Sequence, residues 1–174
     1  MRARRVRPSS AIAYWLIPAK AERELFREII RILAEQLGAA QFEPHVTLLV
    51  ATSDEELPGK VLKRIKASPI RLTFREIGWS RKFTKTLFAR FEPRPALQRL
   101  ALALAPDAAV IRDPHVSLLY KTLPTAAKKE LAGTIKLPFR SVTFDSIQAV
   151  RCALPTRTRT DVEAWRVVAR RQLR

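Results

Sequence analysis

The sequence predicts an α+β fold of duplicated, bilobal build, with two antiparallel-rich sheets facing each other across a central groove and helices outside. Three observations predict it. Short apolar runs rich in strand formers alternate with stretches of helical spacing. One unit, a strand, a Pro-marked helix entry, a helix, a loop and a histidine strand, occurs twice, over about residues 11–50 and 86–120. Two near-identical peptides, Glu43-Pro44-His45-Val46-Thr47-Leu48-Leu49 and Asp113-Pro114-His115-Val116-Ser117-Leu118-Leu119, end those units seventy positions apart.

The elements follow in order. Ala11 to Ile17 is apolar and strand-forming, and Pro18 stops it. Residues 19–37 have helical spacing. Leu25, Ile29, Ile32, Leu33 and Leu37 share one face, Glu24, Arg27, Glu28, Arg31 and Glu35 lie largely opposite, and Gly38 is placed to cap the end. The His45 peptide reads as a short strand. Residues 54–66 form a weaker helix with Ser53 or Asp54 as N-cap and Pro58 limiting its first part. Ile70 to Ile77 is a strand, as is Thr86 to Phe91; Pro93 and Pro95 open a helix to about Ala105, and His115 begins a further short strand. A short helix at 126–131, three strands at 136–144, 147–153 and 165–170, and an exposed hairpin loop at 156–161 complete the reading.

At 174 residues the chain reads as one domain, residues 1–174, with residues 1–8 as a solvated basic arm. The apolar runs are far too short for a membrane span, so no membrane partner is expected. A single cysteine, Cys152, excludes an intramolecular disulfide framework and any Cys-based zinc site, and a reducing cytoplasm is the expected home of a monomer. With only four glycines and no G-x-x-x-x-G-K-[ST], there is no P-loop. The net charge of +17 favours polyanions and phosphorylated substrates, including binding of RNA through a basic surface.

His45 and His115 are the only histidines in the chain. Histidine exchanges its proton near neutral pH, so two in matched settings suit an acid–base pair. Strand alternation puts His45 with Thr47, and His115 with Ser117, about 6–7 Å apart on one face, with Val46, Leu48, Val116 and Leu118 turned to the core. Such a cradle fits a cyclic phosphodiester. One imidazole takes the proton of water, the other protonates the leaving alkoxide, and the hydroxyls hold the non-bridging oxygens. The scheme needs no metal and no cofactor; as metal ligands the two histidines lack an obvious third partner. Neither histidine is expected to be needed for core packing. Phe83 is a candidate to stack on a base or ribose, the alternative being an ordinary loop aromatic. Arg81, Lys82 and Lys85 crowd the same segment, as ligands for a second phosphate or as a solvated charged loop.

The paired H-x-[ST]-x peptides resemble the 2H phosphoesterase superfamily, which includes bacterial 2′–5′ RNA ligase-like proteins. Tyr14-Trp15-Leu16-Ile17-Pro18, Phe42 to Leu48 and His115 to Tyr120 most resemble its cyclic phosphodiesterase branch, known from plants and yeast. The resemblance implies a bilobal fold and metal-free opening of ribose cyclic phosphates (nucleoside 2′,3′- or ADP-ribose 1″,2″-cyclic phosphate). It makes His45 and His115 the catalytic pair, with His115 the base and His45 the acid, and Thr47 and Ser117 the phosphate-binding hydroxyls. Tyr120 matches an active-site tyrosine of the branch, whereas strict alternation sends it to the core; a strand bulge would reconcile the two. The plant members' extra cysteines are missing, so no disulfide-controlled lid is expected. Two other functions fit the same residues: RNA-end processing or ligation of 2′–5′ linkages, and a catalytically silent RNA-binding module.

Overall fold

A computed structural model describes residues 9–52 and 56–174 of the chain. The basic arm at 1–8 and the N-cap candidates Ser53 and Asp54 lie outside the described residues. The elements run β1 (Ser9–Pro18), α1 (Lys20–Leu37), β2 (Val46–Ala51), α2 (Pro58–Arg64), β3 (Ile70–Trp79), a 3₁₀ turn (Phe83–Lys85), β4 (Leu87–Phe91), α3 (Pro95–Leu104), β5 (His115–Leu119), α4 (Thr125–Thr134), β6 (Ser141–Leu154), α5 (Arg159–Glu163) and β7 (Arg166–Gln172). Local chemistry explains the boundaries. Gly38 ends α1 at φ 64°, a left-handed conformation that costs other residues strain, and its N–H reaches the Ala34 carbonyl. Pro58 and Pro95 sit in the first turns of α2 and α3, where a missing N–H costs nothing.

The α+β class holds, with all strand pairs antiparallel. The two sheets expected are joined into one, in the order β2-β1-β6-β3-β4-β5, with β7 also on β6. The link is β3. Its first residues, Ile70 to Thr73, pair with β6, and Phe74 to Trp79 pair with β4. Two of the expected strands, 136–144 and 147–153, are a single long β6 (141–154), because β1 pairs on both sides of the polar Asp145-Ser146 step, with Asp145 the extra residue of a register shift. The hairpin loop expected at 156–161 contains the start of α5, whose Thr158 and Asp161 form a capping box that fixes one short helical turn.

One main core contains Ile12, Tyr14 and Leu16 of β1, Phe26 and Leu33 of α1, Leu62 of α2, Leu97 and Leu100 of α3, and the inward residues of β2 and β5. Packing is crossed: α1, which follows β1, packs on β5, and α3, which follows β4, packs on β2. The end strands β2 and β5 therefore approach each other although they stand at opposite ends of the hydrogen-bonded path. The sheet face away from α1, α2 and α3 carries Ala13, Trp15 and Cys152, and the candidate site opens there. Among the described residues no helix is long and apolar enough to cross a membrane.

Candidate active site

His45 precedes β2 and His115 opens β5, and each is oriented by the same local device. The Nδ1–H of His45 donates to the Glu43 carbonyl at 2.6 Å, and that of His115 to the Asp113 carbonyl at 2.8 Å. That bond fixes the tautomer and leaves Nε2 for the pocket. The acidic residue of each peptide is itself clamped by two cations. Glu43 pairs with Arg27 at 2.6 Å and Arg23 at 3.7 Å; Asp113 pairs with Lys85 and, at 2.8 Å, with Arg90. Both histidines, Thr47, Ser117 and Tyr120 line one cavity of about 430 Å³.

Trp15 lies opposite Thr47 across β1–β2 and stacks on His45, with ring centroids 3.7 Å apart and planes 8° from parallel. Phe88 lies opposite Ser117 across β4–β5 and meets His115 edge-on at 5.3 Å. Each imidazole thus rests on an aromatic residue of the neighbouring strand. His45 is only 6% exposed, which corrects the expectation that it is dispensable for packing: removing its ring would leave a void beneath Trp15.

Both histidine strands depart from strict alternation directly after the hydroxyl residue. Register slips between Tyr14 and Trp15 opposite β2, and between Leu87 and Phe88 opposite β5, so Leu48 and Leu118 are the extra, bulged residues. The pocket-facing positions become 47 and 50 in β2, and 117 and 120 in and just beyond β5. Tyr120 therefore reaches the pocket wall, stacked on Phe42 at 4.0 Å, and Val50, which strict alternation would turn away from Thr47, lines the cavity with it. Phe83 does not line the cavity; it packs against Tyr120, in a small cluster to which Phe42 and Trp165 also belong.

Burial dominates the electrostatics. Desolvation pushes His45 down to about 4, partly countered by its bond to the Glu43 carbonyl. His115 is lowered too, first by burial and then by the charges of Lys85 and Arg90, against the raising influence of Asp113. Burial raises the Tyr120 hydroxyl. In Asp113, burial works upward, but Lys85 and Arg90 prevail and hold the carboxyl below its ordinary range. The Ser117 hydroxyl donates to the Thr84 carbonyl at 3.0 Å, and to hold a phosphate oxygen, which only accepts, it must turn that one hydrogen into the cavity.

The loop that carries Lys82, Thr84 and Lys85 to the rim is held from below. Lys128 of α4 is buried, donates to the Ser80 carbonyl at 2.9 Å and lies over Trp79. Of the basic residues noted in that loop, Lys82 and Lys85 line the cavity and Arg81 does not. Trp165, between α5 and β7, adds an indole that meets Trp15 edge-on at 5.1 Å, and its buried N–H has no partner among the described residues. Trp15, Phe88 and Trp165 are the site neighbours that sequence reasoning missed. The positions of Trp15 and Phe88 opposite the hydroxyl residues become legible only once strand pairing is known. Among the described residues no three His, Cys, Asp or Glu side chains gather in a metal-binding group.

Solved structures share this architecture along almost the whole chain. E. coli LigT complexed with 3′-AMP superposes with a TM-score of 0.54 at 18% identity, covering 95% of this chain and 98% of LigT. The chain has the fold of LigT. TT0787 of Thermus thermophilus gives a TM-score of 0.58 at 18% identity, covering 94% and 98% of the two chains. A crystal structure described as a phosphoesterase gives 0.55 at 17% identity, with 94% and 98% covered. LigT has also been crystallised with ATP, phosphate and NADP+. No protein-family profile matches the sequence, and no curated protein matches it. The likeness lies in the backbone path rather than in overall sequence.

Proposed function

We propose that this chain opens a ribose cyclic phosphate by water attack, with His45 and His115 as the acid–base pair and Thr47 and Ser117 as ligands of the phosphate oxygens. One observation carries the reading: two imidazoles, each tethered at Nδ1 to a carbonyl two residues back, present Nε2 to one cavity beside two hydroxyls. Nε2 of one takes a proton from water as its oxygen bonds to phosphorus; Nε2 of the other gives a proton to the ribose oxygen as the P–O bond breaks. The apolar lining residues Ala13, Val50, Leu154 and Pro155 suit a nucleoside, and Lys82, also in the lining, suits an anionic extension.

Burial supports giving the base role to His45, the reverse of what the sequence resemblance implies. His45, more enclosed and held down to about 4, stays neutral and ready to accept a proton. His115, beside Asp113, recovers a proton more readily when an anion enters. An aryl phosphodiester separates the roles, because its leaving group departs without a proton. His115→Asn should lose about 10²–10⁴-fold on a cyclic phosphate but far less on the aryl ester, while His45→Asn loses on both. The opposite pattern would restore the other assignment, and full turnover in either variant would sink the mechanism.

The +17 charge favours a second reading in which the cyclic phosphate terminates an RNA chain. Rates on a mononucleotide 2′,3′-cyclic phosphate and on an oligonucleotide bearing the same end separate the two.

A further inference from the structure

The chain's positive charge is not spread evenly. Helix α1 carries four acids (Glu22, Glu24, Glu28, Glu35) and four bases (Lys20, Arg23, Arg27, Arg31), and its charges are largely paired with one another or with Glu43. The excess lies elsewhere. One concentration flanks two grooves, of about 530 and 390 Å³, that share Ile65, Lys66, Ala67 and Ser68 as a common wall. The first runs between the α2–β3 connection and α3, with Arg71, Arg94 and Arg99; the second runs along the end of β7, with Arg171 and Arg174. No Asp or Glu lines either groove, and none of these six cations has a carboxylate partner among the described residues. All six are exposed.

Three features select the ligand. Five of the six cations are arginines, whose planar forks match phosphate oxygens in pairs. The grooves are concave and continuous, which suits a chain of phosphates rather than the flat surface of a bilayer. No aromatic residue lines them, so contacts would go to the backbone without base stacking. The face is also separate from the histidine cavity: no residue lines both, and α2 and α3 back onto the opposite side of the main core.

We propose that these joined grooves bind the sugar–phosphate backbone of single-stranded RNA, without sequence preference and independently of the histidine cavity. The proposal does not rest on the catalytic reading. It is tested by fluorescence anisotropy of a labelled 20-nucleotide RNA with an ordinary 3′-hydroxyl, titrated with the full chain across 50–200 mM NaCl. The double variant Arg94→Gln/Arg99→Gln should bind about 10- to 100-fold more weakly, with a salt slope shallower by about 1.4, as expected for two lost phosphate contacts on a single strand. Its Tm should equal wild type's, since both side chains are exposed, and His115→Asn should bind RNA as wild type does. Equal binding by the arginine variant, or loss of binding in His115→Asn, would overturn the proposal. So would phosphatidylserine vesicles sedimenting with the wild-type chain under conditions where the RNA does not bind.

Discussion

Glu43 and Asp113 act on the histidines through their backbones. Each carboxylate gathers two cations, which fixes the chain where its own carbonyl receives the imidazole Nδ1–H. The Asp-Pro-His and Glu-Pro-His order is thereby a positioning device, and Asp113 in addition lends His115 negative charge. With only two histidines, proton NMR gives two imidazole titrations to read. One should titrate near 4 and the second below the ordinary 6.5. Asp113→Asn should lower the second, because Lys85 and Arg90 would then act on His115 uncompensated; two titrations near 6.5 would contradict the burial argument. Stability carries the same sign. A histidine whose folded pKa lies below its unfolded one leaves the unfolded chain binding more protons, so stability is full above about 6.5 and lost as pH falls toward 4. For His45 the loss is at most about 3 kcal/mol, from roughly 1.4 kcal/mol per pKa unit. Urea unfolding at pH 7 and pH 4.5 should show this loss in wild type and a smaller one in His45→Asn.

At the level of elements, the bulges after Thr47 and Ser117 turn two ordinary edge strands into site walls, since they bring Val50 and Tyr120 round to the hydroxyl side. Glycine makes the third adjustment. Gly78 in β3 pairs with Phe88 in β4, and a Cβ there would stand 2.6 Å from the Phe88 ring, which is buried and touches His115. Gly78→Ala should cost about 1–3 kcal/mol by overpacking and should also lower turnover through a displaced His115; unchanged stability and turnover would mean the ring moves without cost. Much of this layer was legible beforehand. The apolar period placed the span of α1 but not its face, since Phe26, Ile30, Leu33 and Ala34 are buried while Ile32 is exposed. Pro95 placed the start of α3, whereas α2 begins at Pro58 rather than at 54, and period-2 alternation correctly paired each histidine with its hydroxyl. Alternation failed one residue later, because a bulge is set by the partner strand rather than by local sequence. The isolated Gly78 within a strand pattern was a usable signal of close approach that went unread, and the Thr158–Asp161 box likewise announced α5.

For the molecule as a whole, the sheet delivers its two end strands to one cavity by curling, and the helices cross over to pack beneath the opposite strand. Chain order suggested two units but not that β3 would be shared between them, since pairing partners over such separations follow from the assembled core. Loosening one wall should therefore reach the other. Lys128→Met, which frees the Ser80 carbonyl and with it the loop bearing Lys82, Thr84 and Lys85, is expected to raise KM for a phosphorylated substrate several-fold with a smaller change in kcat. An unchanged KM would show that the loop is held by Thr86 and its bonds to Phe83 and Lys121 alone.

If two tethered, partly desolvated histidines share one phosphate, kcat/KM for a nucleoside 2′,3′-cyclic phosphate between pH 4 and 8 in EDTA must report both of them. A bell with its maximum below pH 6.5, abolished in His45→Asn and in His115→Asn, is the predicted result. Activity that vanishes in EDTA and returns with zinc, or a profile indifferent to both histidines, would contradict it.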